Sequence, residues 1–218
     1  MPNMLEHIDK YIEYISTQKG LSSNSILSYK NDLLKFHEYL KSENLEFEKL
    51  KRSDVRGFLA ELNHIKMKKT SINRIISSLK GFVKYKKRFG YSDPACILEI
   101  ESLKKSQYLP VFLFDEEFEK LIDFECKVKE DFRDRAVFEL IFCTGLRVSE
   151  LTSIDINDID ISNEIRVSGK GDKERVVLFG NRCRNYLDQY INERKEFKPR
   201  DNALFLNHLG GRLTDRGV

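Results

Sequence analysis

The amino-acid sequence predicts a mainly α-helical protein that carries one small antiparallel β element. Two patterns support this fold class. Through the first ninety residues, apolar side chains recur at intervals of three and four, which is typical of helices that bury one face. Around Ile165 and Val167, apolar and polar residues alternate instead, and a glycine-containing turn separates this stretch from residues 176–178. That alternation predicts a β-hairpin.

The first half of the chain is predicted to form four helices. The first covers residues 5–17 and ends before Gly20, because glycine readily adopts the left-handed conformation that follows a helix. The fourth covers about residues 70–88. Candidate N-cap residues for the two helices between them are Ser22, Ser23, Asn24, Ser53 and Asp54. Four short helices can bury their apolar faces against one another without a sheet.

The second half is predicted to be a separate domain. Residues 95–114 lack clear periodicity, which is typical of a linker, so we place a helical domain with its linker at 1–106 and a second domain at 107–218. Asp115 is expected to cap the helix that opens the second domain.

A nearly continuous apolar stretch, residues 136–143, predicts a helix that is buried on all sides. Gly145 interrupts this helix, and residues 146–151 begin the next one. The apolar residues Val148 and Leu151 of that helix are expected to point toward the core.

Several classes of protein are excluded by composition. The sequence has no apolar stretch of eighteen residues and no signal peptide at its start, which predicts a soluble protein without a membrane anchor. Its four cysteines are far apart and form no CxxC pair, so we expect a cytoplasmic protein with no metal site. The GKG at residues 169–171 lacks the trailing residues of a phosphate loop, and we expect a hairpin turn there and no nucleotide cofactor.

Positive charge is concentrated in the first half of the chain. Residues 1–105 carry 20 Lys and Arg against 13 Asp and Glu, whereas residues 106–218 carry 18 against 22. In the fourth predicted helix, Asn73, Ser77, Lys80 and Lys84 share a face that lies apart from the apolar stripe. A basic face is often only solvated, but amide, hydroxyl and ammonium groups together suit phosphate oxygens and base edges. Nucleic acid is therefore the leading candidate partner.

Arg147 is the most unusual residue of the second domain. It follows an apolar helix and a glycine break, and Glu150 lies three residues later on the same helical face. On spacing alone, this pair can be a structural ion pair at a helix start or part of a functional site.

Two stretches of the second domain resemble signatures of the tyrosine recombinases. Residues 143–151, CTGLRVSEL, are similar to the TGLRxSEL signature, and residues 168–175, SGKGDKER, resemble the GKGxKER hairpin of the same family. The similarity extends from about Leu5 to Val218, and within the family the chain resembles the bacterial Xer group. The resemblance implies an N-terminal helical SAM-like core-binding domain followed by an α/β catalytic domain, here incomplete.

The resemblance also implies the chemistry. Tyrosine recombinases cut and rejoin double-stranded DNA through a 3′-phosphotyrosine intermediate, with neither metal nor nucleotide. Arg147 matches an arginine that holds the scissile phosphate, Glu150 an acidic residue that supports it, and Lys170 the lysine that protonates the leaving 5′ oxygen. Lys173 and Arg175 would then contact backbone phosphates, unless they belong only to a solvated hairpin.

The DNA-facing candidates of the helical domain are polar or basic side chains of its second and fourth helices. They are Asn24, Ser25, Lys69, Thr70, Asn73, Arg74, Ser77, Lys80 and Lys84. Most are expected to contact phosphates, and Asn73 and Arg74 to reach bases. The resemblance implies a tetramer of recombinase subunits on two DNA sites and a role in chromosome dimer resolution.

The sequence also departs from the family. The HxxR motif is missing, since Arg212 lies four residues after His208, and the nine tyrosines all precede the position of the family's nucleophile. We therefore expect these 218 residues to be about three quarters of a recombinase and to bind DNA without cleaving it. A phage or transposon integrase, or a non-catalytic DNA-binding protein, are the alternatives.

Overall fold

A computed structural model describes residues 4–91, 94–104, 111–169 and 173–218 of the chain. Backbone packing divides the chain into two units, Met1–Leu109 and Pro110–Val218, and each unit has its own cluster of buried apolar side chains. The domain boundary predicted at residues 106 and 107 lies outside the described residues. Every helix within the described ranges is too short or too polar to cross a lipid bilayer.

The first unit contains the four predicted helices. They are α1 (Met4–Thr17), α2 (Ser23–Ser42), α3 (Arg52–His64) and α4 (Lys69–Arg88), with short 3-10 turns at Phe47–Lys49 and Ala95–Ile97. Helix α2 packs against both α1 and α4, and α4 is the central element, because Ile72, Leu79 and Phe82 are fully buried. Apolar side chains at three- and four-residue intervals therefore meet in one core, as the sequence predicts.

The helix ends follow the sequence in part. Gly20 has a φ of +56°, and the Ser22 hydroxyl caps α2 by accepting from the Ser25 amide at 3.4 Å. The prediction that Ser53 or Asp54 is the N-cap of α3 is wrong. Helix α3 begins at Arg52, and the Asp54 carboxylate instead accepts the Lys51 amide at 2.8 Å from inside the first turn.

The segment after α4 also corrects a prediction. Residues 95–103 lack periodicity in the sequence, but they pack against the helices of the first unit rather than forming a free linker. Ile97 is fully buried, and Leu103 forms two hydrogen bonds with the Asn73 side chain. Irregular backbone can bury apolar side chains without any repeating pattern, so periodicity alone cannot detect it.

One lysine of α4 lies inside the core of this unit. The Lys86 side chain is only 2% exposed, its ammonium lies 2.9 Å from the Glu48 carboxylate, and it stands 4.7 Å from the centre of the Phe47 ring. Glu48 is half exposed, so the pair brings one charge into the core while the other stays close to water.

Removing either partner of this pair should have unequal effects. Glu48→Ala leaves a buried ammonium without its counter-charge and should destabilise the first unit by about 3 kcal/mol. Lys86→Met keeps the volume, removes the buried charge and leaves Glu48 free to reach water, so its free energy of unfolding should stay within about 1 kcal/mol of the parent. Urea denaturation followed by circular dichroism measures both. A loss in Lys86→Met as large as that in Glu48→Ala would contradict this account.

The described residues of the second unit, 111–169 and 173–218, form four helices and one pair of antiparallel strands. The helices are α5 (Asp115–Ile122), α6 (Lys129–Thr144), α7 (Val148–Ser153) and α8 (Asn181–Glu193), the strands are β1 (Glu164–Gly169) and β2 (Lys173–Leu178), and 3-10 turns lie at Ile156–Asp158 and Arg194–Phe197. The strands pair antiparallel, with Val167 opposite Arg175, and α6 packs against α8. The predicted fold class, mainly helical with a small antiparallel β element, is confirmed.

Three local predictions for this unit need correction. Helix α6 is not buried on all sides, because Phe142 is 43% exposed and Cys143 is also exposed. Asp115 does not cap α5. Phe114 holds the N-cap position, and the Glu117 carboxylate accepts its amide at 3.0 Å. Val148 is 37% exposed, whereas Leu151 is fully buried as predicted.

Candidate active site and nucleic-acid interface

The turn between α6 and α7 determines where Arg147 lies. Gly145 adopts a φ of +63°, which a side chain would disfavour, and its amide still bonds to Ile141 O at 2.9 Å. Leu146 is then buried in the core, and Arg147 becomes the N-cap of α7. Three residues thus separate α6 from α7 and place the Arg147 side chain at the start of a helix.

The Glu150 carboxylate is the centre of this site. It is almost fully buried and accepts the Arg147 backbone amide at 2.9 Å, which closes the first turn of α7. It also accepts the Arg147 guanidinium at 2.9 Å. A second guanidinium, that of Arg175 on β2, binds the same carboxylate through two nitrogens at 2.8 and 2.9 Å. One buried carboxylate therefore joins two arginines from different elements.

These contacts fix the charge state of the site. The hydrogen bonds from Arg175, and then those from Arg147, lower the pKa of Glu150 to about 2. Glu150 is consequently ionised at neutral pH. One negative charge faces two positive charges, so the cluster keeps a net positive charge.

Arg147 is the exposed member of the cluster. Its side chain is 71% exposed, compared with 42% for Arg175. Among the described residues, its guanidinium bonds to Glu150 through one nitrogen, which leaves its other donors facing outward. A guanidinium held on one edge and open on the other is suited to bind phosphate oxygens.

The structure brings Arg147 and Glu150 together, as the sequence predicts from their spacing. The Arg175 guanidinium, predicted to contact a phosphate, is bound to Glu150, and its contact with DNA stays a prediction. Lys170 lies outside the described residues, and so does the side chain of Lys173. Nothing in the sequence spacing pairs Arg175 with Glu150, since the two residues are 25 positions apart.

A further arginine, Arg212, binds the C-terminal end of α7. Arg212 donates to Thr152 O at 2.9 Å and Ile154 O at 3.2 Å, and it forms an ion pair with Asp155. These carbonyls belong to the end of α7, where backbone acceptors lack helical partners. Sequence reasoning missed this role, because no local pattern connects residues that lie about 60 positions apart.

The basic face of α4 is the second candidate site. Lys69, Thr70, Arg74, Ser77 and Lys84 are exposed, and Lys80 is half-buried. In the first turn of α2, Asn24 is exposed and Ser25 is half-buried, with the Ser25 hydroxyl 2.9 Å from that of Ser22. Arg74 connects the two helices by donating to Ser28 O at 3.1 Å. Polar groups of α2 and α4 therefore lie on neighbouring parts of the first unit.

Asn73 does not belong to this face. It is 7% exposed, its amide nitrogen donates to Leu103 O at 2.9 Å, and its amide oxygen accepts from Leu103 N at 2.7 Å. The prediction that Asn73 reaches bases is corrected for this physical reason: its donor and acceptor bind backbone within the unit. An amide that forms a bidentate bond to backbone cannot form one to adenine at the same time.

Arg74 forms an ion pair with a buried carboxylate. Its guanidinium lies 3.0 Å from Asp32, whose side chain is only 4% exposed. Burial raises the pKa of Asp32 to about 6, and Arg74 opposes that rise. Arg74 is 42% exposed, so the pair orients a partly accessible guanidinium on the basic face.

Neutralising two lysines of this face should weaken DNA binding in a salt-dependent way. In Lys80→Gln/Lys84→Gln, each lost phosphate contact should lower the slope of log K against log salt by about 0.9, and by about 1.8 for the pair. Fluorescence anisotropy with duplex DNA between 50 and 200 mM salt, on the order of physiological strength, measures the slope. The matched control, Lys10→Gln/Lys41→Gln, removes two exposed charges from α1 and α2. Equal slopes for the two variants would exclude α4 as the phosphate-binding face.

Two known protein families match this chain, one over each candidate site. Residues 8–90 match the "Phage integrase, N-terminal SAM-like domain" family, and residues 112–218 match the "Phage integrase family". The first match covers the four helices and the second covers the unit that holds Arg147.

Individual relatives of the chain are tyrosine recombinases. The chain is 35% identical over 224 residues to tyrosine recombinase XerD of Oceanobacillus iheyensis, an alignment that covers 98% of this chain and 75% of the relative. It is 38% identical over 233 residues to tyrosine recombinase XerC of Treponema denticola, covering 99% and 76%.

Solved structures share the fold at lower identity. The XerH site-specific recombinase bound to palindromic difH substrate gives a TM-score of 0.73 at 23% identity, covering 97% of this chain and 74% of that chain. The Tn1549 transposon integrase in complex with transposon right end DNA gives a TM-score of 0.75 at 19% identity, covering 95% and 73%. The sequence identity to XerD and XerC, over nearly all of this chain and about three quarters of each relative, shows that the chain belongs to the tyrosine recombinase family.

Proposed function

We propose that this protein is a site-specific recombinase that cuts and rejoins double-stranded DNA through a 3′-phosphotyrosine. The observation that carries the proposal is the exposed Arg147 guanidinium, bound on one edge by a buried and ionised Glu150. The basic face of α4 supports it, because a recombinase must hold the duplex backbone before it cuts.

The proposed reaction assigns one task to each group. A tyrosine hydroxyl gives up its proton to solvent, and its oxygen bonds to the scissile phosphorus while the bond from phosphorus to the 5′ oxygen breaks. Arg147 stabilises the charge that builds on the non-bridging oxygens in the transition state. Lys170 gives a proton to the departing 5′ oxygen, which leaves as a hydroxyl. Attack by the 5′ hydroxyl of another strand then reverses the step and rejoins the DNA.

The attacking tyrosine is not assigned to this chain. Two tyrosines follow both signature motifs. The centre of the Tyr186 ring lies 5.5 Å from the guanidinium of Arg135 and 6.0 Å from that of Arg182. Tyr190 is fully buried, and its hydroxyl donates to Leu204 O at 3.0 Å and accepts from Leu206 N at 3.0 Å. Burial raises its pKa to about 12, which opposes formation of the phenolate. We therefore expect residues 1–218 alone to bind DNA without forming a covalent adduct, and cleavage assays require the full-length gene product.

The proposed biological role is chromosome dimer resolution and segregation. The identity of 35 to 38% to proteins named XerD and XerC favours this role over mobile-element integration. We propose four subunits on two DNA sites as the active assembly. The cytoplasm is the proposed place of action, since a bacterial chromosome lies there.

A suicide-substrate assay tests the proposed function. The duplex carries a nick next to the scissile position, so that the cut strand diffuses away and the covalent complex accumulates. The full-length gene product should form an adduct with its target site that survives denaturation, and no such adduct should form on a scrambled duplex. Sequence-specific binding without an adduct would favour a non-catalytic DNA-binding protein. Recombination only at the ends of a mobile element would favour an integrase.

A further inference from the structure

The two arginines divide the Glu150 carboxylate evenly between them. One oxygen accepts the Arg147 guanidinium at 2.9 Å and the Arg175 guanidinium at 2.8 Å. The other accepts the Arg147 backbone amide and the second Arg175 nitrogen, both at 2.9 Å. Each oxygen thus receives one bond from each arginine, and neither arginine can shift without disturbing a carboxylate that the other also uses.

Arg175 supplies what α7 cannot supply alone. Helix α7 has only six residues, so few contacts of its own fix the direction of the Glu150 side chain. Arg175 lies on β2, directly opposite Val167, which is buried in the core of the second unit. The register of the hairpin therefore fixes the point from which Arg175 holds the carboxylate.

We propose that Arg175 is a positioning residue for Arg147, which it aims at the scissile phosphate by holding the Glu150 carboxylate that both arginines share. The inference rests on the proposed function of Arg147. It differs from the role expected from sequence, in which Arg175 contacts a phosphate directly. The bidentate pairing with a buried carboxylate is the reason for the difference, because that edge of the guanidinium is occupied.

Loss of Arg175 should change the pKa of Glu150 as well as the rate of DNA cleavage. Of the described residues, Arg147 from α7 and Arg175 from β2 are the charged groups that bond to Glu150. Without Arg175, the carboxylate keeps the Arg147 amide and guanidinium but loses two hydrogen bonds, so its pKa should rise from about 2 toward that of an ordinary glutamate. Protonated Glu150 would then hold Arg147 less firmly, and cleavage should fall as the pH drops through that pKa.

The test compares Arg175→Gln with a matched variant of the same hairpin, Arg166→Gln. Arg166 is an exposed arginine of β1, and removing it takes away the same charge without touching Glu150. Single-turnover cleavage by the full-length gene product should be about 10- to 100-fold slower in Arg175→Gln than in Arg166→Gln at neutral pH. The acid limb of the pH-rate profile should move to higher pH in Arg175→Gln alone, so the ratio of the two cleavage rates should widen as the pH is lowered.

Two further measurements separate the outcomes. Arg175→Lys keeps the positive charge but not the planar guanidinium. Its cleavage rate and pH profile should lie between those of the parent and those of Arg175→Gln. NMR titration of the Glu150 side-chain carboxyl in residues 1–218 should give a pKa well below 4.5 in the parent and in Arg166→Gln, and a higher pKa in Arg175→Gln. A shifted Glu150 pKa in a variant whose other resonances match the parent cannot come from misfolding.

The inference is overturned if Arg175→Gln cleaves like Arg166→Gln at every pH. It is also overturned if Arg175→Gln loses DNA affinity and about 0.9 of the salt slope with an unchanged pH profile, since that is the behaviour of a direct phosphate contact. If the parent protein forms no covalent complex at all, the proposed function fails, while the Glu150 titration still reports whether Arg175 controls the carboxylate.

Discussion

Replacing Arg147 with alanine should lower the rate at which the full-length gene product cleaves DNA by about a thousandfold. The guanidinium is the exposed donor of the Glu150 cluster, and its open edge faces solvent. Charge builds on the non-bridging oxygens as phosphorus becomes pentavalent, so a donor placed there lowers the barrier more than it improves binding. Single-turnover formation of the covalent adduct measures the rate, and anisotropy measures the affinity for the same duplex.

The variant Arg147→Lys separates the effect of the positive charge from the effect of the guanidinium geometry. Lysine keeps the positive charge but not the planar fork, so it should retain affinity and recover only part of the cleavage rate. Arg166→Ala removes an exposed arginine elsewhere in the second unit and should cleave almost like the parent. If Arg147→Ala loses affinity and rate in equal proportion, Arg147 is a binding residue and its assignment to the transition state is wrong.

Lys170→Ala should lower cleavage by about 10² to 10⁴, the range expected when a general acid is removed. This prediction comes from the match of residues 168–175 to the family hairpin, since Lys170 lies outside the described residues. Single-turnover cleavage of the suicide duplex measures the loss. The defect should be largely rescued on a duplex in which sulfur replaces the bridging 5′ oxygen. A thiolate leaves without a proton because the pKa of a thiol is about 8.5, far below that of an alcohol.

The rescue distinguishes the role of Lys170 from that of Arg147. Sulfur should restore cleavage in Lys170→Ala but not in Arg147→Ala, because only the first lacks the proton donor. Lys195→Ala removes an exposed lysine from the 3-10 turn after α8 and serves as the charge control. A Lys170→Ala variant that remains slow on the sulfur-containing duplex would show that Lys170 is not the general acid.

Much of the fold could be predicted from local patterns. The helices of the first unit follow from apolar residues at helical spacing, and α4 is found within one residue of its predicted start. The pairing of Arg147 with Glu150 also follows from sequence, since residues three apart share a helical face. The predicted hairpin is confirmed too, since β1 and β2 pair antiparallel with Val167 opposite Arg175.

Contacts between residues that are far apart in the sequence could not be predicted from local patterns. Asn73 has the spacing of the basic face, yet its amide is buried against Leu103, thirty residues later. Lys86 belongs to the most basic stretch of the chain, yet its ammonium lies in the core beside Glu48. A pattern of residue types gives the direction of a side chain on its own helix, but it does not show which other segment covers that direction.

The sequence by itself determined most of the elements, the charge asymmetry and the residues that match the catalytic signatures of the family. These features depend on contacts within one helical turn or one hairpin, where the backbone geometry fixes the spacing. Only the tertiary structure decided that Arg175 holds Glu150 and that Asn73 holds backbone. Those partners are 25 to 30 positions apart, and the packing of whole elements decides whether they meet.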